Sequence, residues 1–530
     1  MNQETLIGLH WIDWILIAVY ALSTIGLGVY FGRKQKSTKE YFVGGGNMNP
    51  FFVGVSLFAT LLSTISYLSM PGESAGKGPV NLLGMLALPF VFWIVAYGLL
   101  PVYMKNRVTS AYELLEERLG VSLRLLGATM FLALRLVWMT LLVYLAAKAM
   151  IVMMGVEEKW VPLIVLITGI VSVIYTSLGG LRAVIITDFM QTVLLFGGAL
   201  LVIITVTWSL DGFSWFPTGW QEHWDTQPFF SFDPKTRVTV VGTILSVLTW
   251  YVATSGGDQT SVQRFMATTD ASSARRALAT QLCVGAVVGV TLYTVGFALL
   301  GYFKANLDKL PEGMSIQQDA DKLFPHYIAY HLPIGVSGLV VSAMFAAAMS
   351  SIDSGVNSIT AVVLTDFLDR FGKAPKTEEG HVRFARFLAF GIGLVVVLGS
   401  TSMKFIPGNI TGMTNRTVNL LTTPIFGLFF FALFVPFARP VGVWLGTILG
   451  TITAACISFS GPLVAFLANH GVDPATFNVE LITKVDKVTG TQWVTAEAPI
   501  SFQWIGPAAL LVNIAVGTGV SWLLSRRERT

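Results

Sequence analysis

Apolar residues in this chain gather into long runs separated by short polar turns. Many runs reach the roughly 20 residues needed to cross the hydrocarbon of a bilayer. Thirteen are found, near residues 11–31, 51–71, 81–104, 122–154, 159–177, 184–209, 238–264, 277–302, 334–366, 384–403, 417–437, 441–460 and 503–525. Each predicts a membrane-spanning helix. A transmembrane barrel would show shorter segments of alternating polarity. The expected class is therefore an all-α polytopic membrane protein. The first run is too long for a cleaved leader and has no small-residue cleavage pattern, so it counts as a helix.

Two runs are interrupted by polar groups. The run 51–71 carries Ser56, Thr60, Ser63, Thr64, Ser66 and Ser69 and ends at Pro71-Gly72. The run 238–264 carries Thr254-Ser255-Gly256-Gly257-Asp258-Gln259. Glycine pairs and clustered polar groups favour unwinding, which a membrane helix tolerates where its backbone lines a cavity. The two are second and seventh in order. Interrupted helices at matching places in two halves point to an inverted-repeat secondary transporter. The repeats would cover runs two to six and seven to eleven, about 51–209 and 238–460, within one transmembrane domain spanning 1–530.

A third run holds Ala346-Ala347-Ala348-Met349-Ser350-Ser351-Ile352-Asp353-Ser354-Gly355-Val356-Asn357-Ser358. A carboxylate inside a membrane helix is costly unless something pairs with it. Ser350, Asp353 and Ser354 repeat at helical spacing and share a face. Hard oxygen ligands on one face suit a hard cation such as Na⁺. The serines alone are also explained by bonding back to the helix and by close helix packing. Asp353 is not.

Composition agrees with the membrane reading. Of 530 residues, 54% are hydrophobic and 12% charged, and the mean hydropathy is +0.68. A soluble protein carries about twice that charge. The net charge of +4 asks for no nucleic-acid partner, because topology accounts for it. With the N-terminus outside, one set of loops gathers about 21 of the 34 basic residues, which marks that side as cytoplasmic. The C-terminus then lies in the cytoplasm, and the longest polar segments, 210–237, 303–333 and 461–501, lie outside. Cys283 and Cys456 stand in apolar runs and read as small core residues. The six histidines form no metal set, and no nucleophile–base arrangement has credible context, so an enzyme is not expected. A channel would need a continuous polar lining, whereas the polar groups here cluster at mid-depth.

Four stretches resemble the sodium:solute symporter family, whose members carry sugars, sialic acid, monocarboxylates and proline. The first is Ser37-Thr38-Lys39-Glu40-Tyr41-Phe42-Val43-Gly44-Gly45-Gly46, running into Val55-Ser56-Leu57-Phe58-Ala59-Thr60. The second is Tyr175-Thr176-Ser177-Leu178-Gly179-Gly180-Leu181-Arg182-Ala183-Val184-Ile185-Ile186-Thr187-Asp188-Phe189-Met190-Gln191. The third is Asp258-Gln259-Thr260-Ser261-Val262-Gln263-Arg264, and the fourth is the Ser350–Ser354 stretch. The resemblance implies a LeuT-type fold of five plus five helices with flanking helices.

It also implies sites. The principal sodium site falls on the carbonyls of Ala59, Leu62 and Ala347 and the hydroxyls of Ser350 and Ser351. A second cation site, known from the sialic acid carrier, falls on Asp188, Ser350, Asp353 and Ser354. Asp353 replaces a serine of that carrier. Two carboxylates so close repel unless a cation lies between them or one is protonated. Alternatively, Asp188 pairs with Arg182 or Arg264.

For the solute, the positions that hold sugar hydroxyls in the galactose carrier are here Leu61, Ser66, Met85, Asp258 and Arg416. Leu61 and Met85 would leave a sugar with unsatisfied groups. Arg416 would offer a fork for a carboxylate. Ser63, Ser66, Asp258, Gln259 and Arg416 are thus the solute candidates, with Asp258 also placed to cap a half-helix. Arg135 has three readings: binding an anion, pairing with an aspartate, or snorkelling to the interface.

The expected function is sodium-coupled symport of a small polar solute into the cell, an organic anion being favoured. A sodium-coupled sugar symporter and a proton-coupled carrier of the same fold are the alternatives. Na⁺ is the expected coupling ion, with no organic cofactor. The partners are the solute, sodium ions and the lipid bilayer of the cell membrane, and no obligatory protein partner is evident.

Overall fold

In the computed structural model, which describes residues 9–33, 37–154, 156–226, 230–311, 313–403, 410–485 and 492–527, the first apolar run forms α1 (Trp11–Gly32). Asp13 sits in its first turn, where a carboxylate complements the helix dipole. Its Oδ2 accepts from His10 N at 2.9 Å.

The first interrupted run is two helices, α2 (Pro50–Leu61) and α3 (Thr64–Lys77), bent by 70°. Asn49 caps α2 through Phe51 N at 2.9 Å, and Pro50 takes the first helical position, where a missing N–H costs nothing. Leu62 and Ser63 are extended, and the Ser63 hydroxyl caps α3 through Ser66 N at 3.3 Å. The apolar run continues across the break, but the hydrogen-bonded ladder does not.

α4 (Val80–Asn106), α5 (Val121–Met154) and α6 (Val161–Ser209) follow. α6 carries the expected runs 159–177 and 184–209 as two helical segments that meet at a kink at Gly180, whose φ +56° and ψ −170° are not helical. A side chain there would be strained, so glycine permits the turn. The second interrupted run gives α7 (Val240–Gly257) and α8 (Gln259–Met266), separated by extended Asp258.

Beyond it come α9 (Ala271–Ala305), α10 (Ala320–Tyr330), α11 (Val336–Asp369), α12 (Glu378–Ser402), α13 (Ile410–Phe434), α14 (Pro440–Ser458), α15 (Ser460–Asn469) and α16 (Phe502–Arg526). Between the last two, β1 (Leu481–Val485) and β2 (Gln492–Ala496) pair antiparallel, Leu481 opposite Ala496. Among the described residues, ten helices are long and apolar enough to cross a membrane, eleven counting the bent α2–α3 pair. Leu420–Phe434 of α13 is apolar but shorter.

α11 is the centre of the structure. Almost every residue from Ser337 to Val362 is buried, by α1, α5, α6 and α12 above all. The outer helices turn large apolar side chains outward, among them Phe90, Trp93, Trp208 and Phe387, as helices facing lipid tails do. Cys283 and Cys456, expected in the core, lie exposed on α9 and α14. α10 packs against α3 without spare room: a Cβ at Gly72 would meet Asp321 Cα at 2.9 Å, and one at Gly76 would meet the Ala320 Cβ at 2.7 Å. The Tyr67 and Phe324 rings meet beside them at a tilt of 51°, centroids 5.4 Å apart.

Candidate ion and solute site

The break between α2 and α3 faces the middle of α11. Helix ends leave their last carbonyls without intrahelical donors, and Ala59 lies in that last turn. The Ser350 hydroxyl donates to the Ala59 carbonyl at 2.8 Å. Ser351 donates back to the Ala347 carbonyl at 3.4 Å, and Thr64 donates to the Met344 carbonyl at 3.3 Å. Ala59, Leu62, Ala347, Ser350 and Ser351 are all buried. The structure thus sets the break carrying the first two against the helix carrying the other three.

About a turn further along α11, two carboxylates and one guanidinium are buried together. Asp188, Arg264 and Asp353 have no solvent exposure. Arg264 Nη2 lies 3.2 Å from Asp188 Oδ2 and donates to Ser354 Oγ at 2.5 Å. Its Nε donates to Ser56 Oγ at 2.8 Å, and Ser56 donates to Asp188 Oδ2 at 2.5 Å. Thr60 Oγ1 is 2.9 Å from Ser354 Oγ. Asp353 accepts from the Tyr175 hydroxyl and, at 3.3 Å, from Ser354. Asp188 Oδ1 is buried and has no partner. Of the two arginines that could pair with Asp188, Arg264 does, while Arg182 is exposed.

Ser56, Thr60 and Tyr175 were not among the expected site residues. Ser56 and Thr60 lie four apart, one turn on one helix face, and that spacing was a usable signal. Tyr175 lay inside a quoted motif, but nothing in the sequence aims its hydroxyl at Asp353.

The second break carries another buried pair. Arg135 Nη2, from α5, bonds to Asp258 Oδ2, and Arg135 is 8% exposed. Of its three readings, pairing with an aspartate is the one seen. Its Nε is buried and without a partner. Asp258 uses Oδ1 to cap α8 through Thr260 N at 2.8 Å. The carbonyls freed at the end of α7 are met by two phenols: Tyr103 donates to Gly256 O, and Tyr112 to Gly257 O at 3.2 Å.

The Ser63 and Ser66 hydroxyls lie 3.3 Å apart within the first turn of α3, on one side of the first break. Gln259, expected at the solute, is committed elsewhere: Ala111 N donates to Oε1 at 2.7 Å, and Nε2 donates to Thr109 O at 2.8 Å. Both ends of its amide thus lie on that loop backbone. The Arg416 side chain lies outside the described residues.

Two broken helices set against a hydroxyl-bearing central helix, with charges buried among apolar helices, define an ion-coupled secondary transporter. The chain belongs to the sodium:solute symporter family, whose profile matches residues 41–450. It is 31% identical over 459 residues to the sodium/sialic acid symporter NanT of Aliivibrio fischeri, covering 83% of this chain and 86% of that one. It is 29% identical to the sodium/sialic acid symporter SiaT of Proteus mirabilis, over 86% and 91% of the two chains. The human sodium-coupled monocarboxylate transporter 2 is 27% identical over 86% of this chain and 73% of its own length. Among solved structures, a substrate-bound, outward-open Na⁺-coupled sialic acid symporter superposes with a TM-score of 0.76 at 24% identity, covering 97% and 98% of the two chains.

The fold is therefore the LeuT type. The protein is a multi-pass membrane symporter that couples Na⁺ to a small polar solute, not an enzyme.

Proposed function

We propose that the solute is a small organic anion, and that its carboxylate is received beside Arg135 between the two breaks. The observation that carries this is the buried, unpartnered Nε of Arg135 next to Asp258. A guanidinium in low dielectric with an open donor favours a carboxylate, for which its planar fork is shaped. Ser63, Ser66 and Asp258 line the breaks and would address the polar remainder of the solute; Arg416 is a further candidate. The relatives named for sialic acid and for monocarboxylates carry acids, which agrees with this reading.

Ala59, Leu62, Ala347, Ser350 and Ser351 would hold the coupling Na⁺ in a neutral cage of carbonyl and hydroxyl oxygens. Asp188, Asp353, Ser350 and Ser354 would form a second cation site, supported by the buried, unpartnered Asp188 Oδ1. With inverted repeats of about 51–209 and 238–460, rocking of the helix bundle would open the cytoplasmic side, the N-terminus lying outside and the C-terminus in the cytoplasm of a cell-membrane protein. An ion shifts that equilibrium only through its differential affinity for the two states. The membrane potential adds about 2.3 kcal/mol per charge per 100 mV.

The test is uptake into proteoliposomes of labelled carboxylates, sugars and amino acids under an inward Na⁺ gradient, with K⁺ as control. Carboxylate uptake that requires Na⁺ supports the assignment. Sugar uptake in its place overturns the anion reading, and equal uptake driven by a pH gradient in K⁺ overturns the sodium site.

A further inference from the structure

The cleft between α4 and α9 holds an arginine against an outward-facing apolar surface. α4 widens into a π turn at Val95–Leu99, where Leu100 N donates to Val95 O. In that register the next carbonyl, Ala96 O, would accept from residue 101, but Pro101 has no N–H to give. Arg275 Nε, from α9, donates to Ala96 O instead, at 3.2 Å. The Arg275 guanidinium also lies over the Tyr97 ring, 4.9 Å from its centroid. That ring belongs to the apolar run 81–104 and is exposed, as are Phe90 and Trp93 on the same face of α4. Nε is the one Arg275 donor bonded to protein among the described residues, and its Nη groups are not buried.

A charge on a lipid-facing surface is expensive, and arginine ordinarily carries its charge out to water along its stem. Here Nε is tied inward. More positive charge stands beside it. Arg107, just past the end of α4, donates through Nη2 to Thr269 O, just ahead of α9. Arg276 Nη2 donates to Ser273 Oγ at 3.2 Å, and that oxygen lies 2.9 Å from Thr269 Oγ1. A Cβ on Gly46 would lie 3.5 Å from Arg107 Nη1 and 3.8 Å from Lys39 Cε, so Lys39 joins the group. Among the described residues, none of these four cations is paired with a carboxylate. Asp270, on the same segment, is spent capping α9 through Ser273 N at 2.8 Å.

We propose that this cleft binds an anionic phospholipid. The Arg275 fork receives the headgroup phosphate, Lys39, Arg107 and Arg276 meet the remaining negative field, and an acyl chain lies along Phe90, Trp93 and Tyr97. The planar guanidinium matches phosphate oxygens two at a time. Basic pockets between membrane helices take such headgroups. A zwitterionic lipid would bring a further cation to a site already positive. A free phosphate would leave the apolar face unused. The inference is independent of the solute and of the ion sites.

The experiment follows the melting temperature of the delipidated full chain in detergent as phosphatidylglycerol, phosphatidylcholine or inorganic phosphate is added. We expect phosphatidylglycerol to raise it and the other two to leave it unchanged at the same concentration. Arg275→Gln should raise the phosphatidylglycerol concentration for half the effect by about tenfold. Should that variant not fold, Arg107→Gln and Arg276→Gln, both at exposed positions, should each raise it by about fivefold. Lys373→Gln, exposed elsewhere, should leave it unchanged. A half-effect concentration that none of the three arginine variants moves, or that Lys373→Gln moves as far, overturns the proposal. An equal rise with inorganic phosphate replaces the lipid by a free anion, and an equal rise with phosphatidylcholine removes the need for charge; either result also overturns it.

Discussion

The Ser350 hydroxyl donates to the Ala59 carbonyl at 2.8 Å, across the break that separates α2 from α3. Both atoms are oxygens that a monovalent cation would take as ligands, and they come from two different helices. An ion bound there would replace one weak link between those helices with a stronger, charged one.

Ser351→Ala is expected to weaken sodium coupling while leaving membrane insertion intact. Its hydroxyl makes only a long bond to its own helix, at 3.4 Å, so the fold loses little without it. A lost contact to a charge is worth about 1.5–3 kcal/mol, so Na⁺ half-saturation should rise by roughly tenfold or more. An unchanged Na⁺ titration of uptake would remove Ser351 from the ion site.

The Asp188–Arg264 pair is expected to show its energy only when one partner is removed. Both side chains are fully buried. Stripping one partner from a buried pair costs about 3–5 kcal/mol, whereas replacing both by apolar groups is often nearly neutral. Arg264→Met alone should lower the melting temperature in K⁺ sharply. Arg264→Met combined with Asp188→Leu should recover most of the loss while abolishing transport. Equal melting of the single and double variants would show that the charges are not coupled.

Arg135→Gln is expected to abolish carboxylate uptake while preserving Na⁺-dependent stabilisation, because Arg135 sits at the second break and the sodium cage at the first. Arg135→Lys should not rescue it, since an ammonium lacks the planar fork. Uptake by Arg135→Gln at the normal rate would return this arginine to a purely structural role.

One pH effect lies outside the spanning helices. Burial, then the neighbouring His326 and Lys309, push the His331 imidazole down to about 4. A histidine held neutral below its unfolded pKa of about 6.5 destabilises the fold as pH falls. Melting temperature should therefore decline between about pH 6.5 and 4, and His331→Asn should flatten that decline. The same slope in the variant would assign the acid sensitivity elsewhere.

The breaks were legible because their causes are local. Gly256-Gly257-Asp258 and Ser63 carry the unwinding and the caps in consecutive residues. The shared face of Ser350, Asp353 and Ser354 follows from helical periodicity. The pairings were legible only as alternatives, because the choice of Arg264 over Arg182 for Asp188, and of Asp258 for Arg135, is made at a distance in the chain: 76 and 123 residues. Gln259 shows the same blindness from the other side. Its place beside the break suggested a solute contact, but its amide is spent on a loop 148 residues away. Cys283 and Cys456 were misplaced for a different reason. Lipid tails are as apolar as leucine, so hydropathy does not distinguish a membrane helix's buried face from its outer one.

The fit of α10 on α3 has its own consequence. Gly72 and Gly76 leave no gap beneath Asp321 and Ala320. Two bodies that touch without slack transmit displacement with no lost motion. If the first broken helix tilts during transport, α10 would be carried with it. A methyl group at Gly72 would lie 2.9 Å from Asp321 Cα, closer than side chains pack, and would prise the two helices apart.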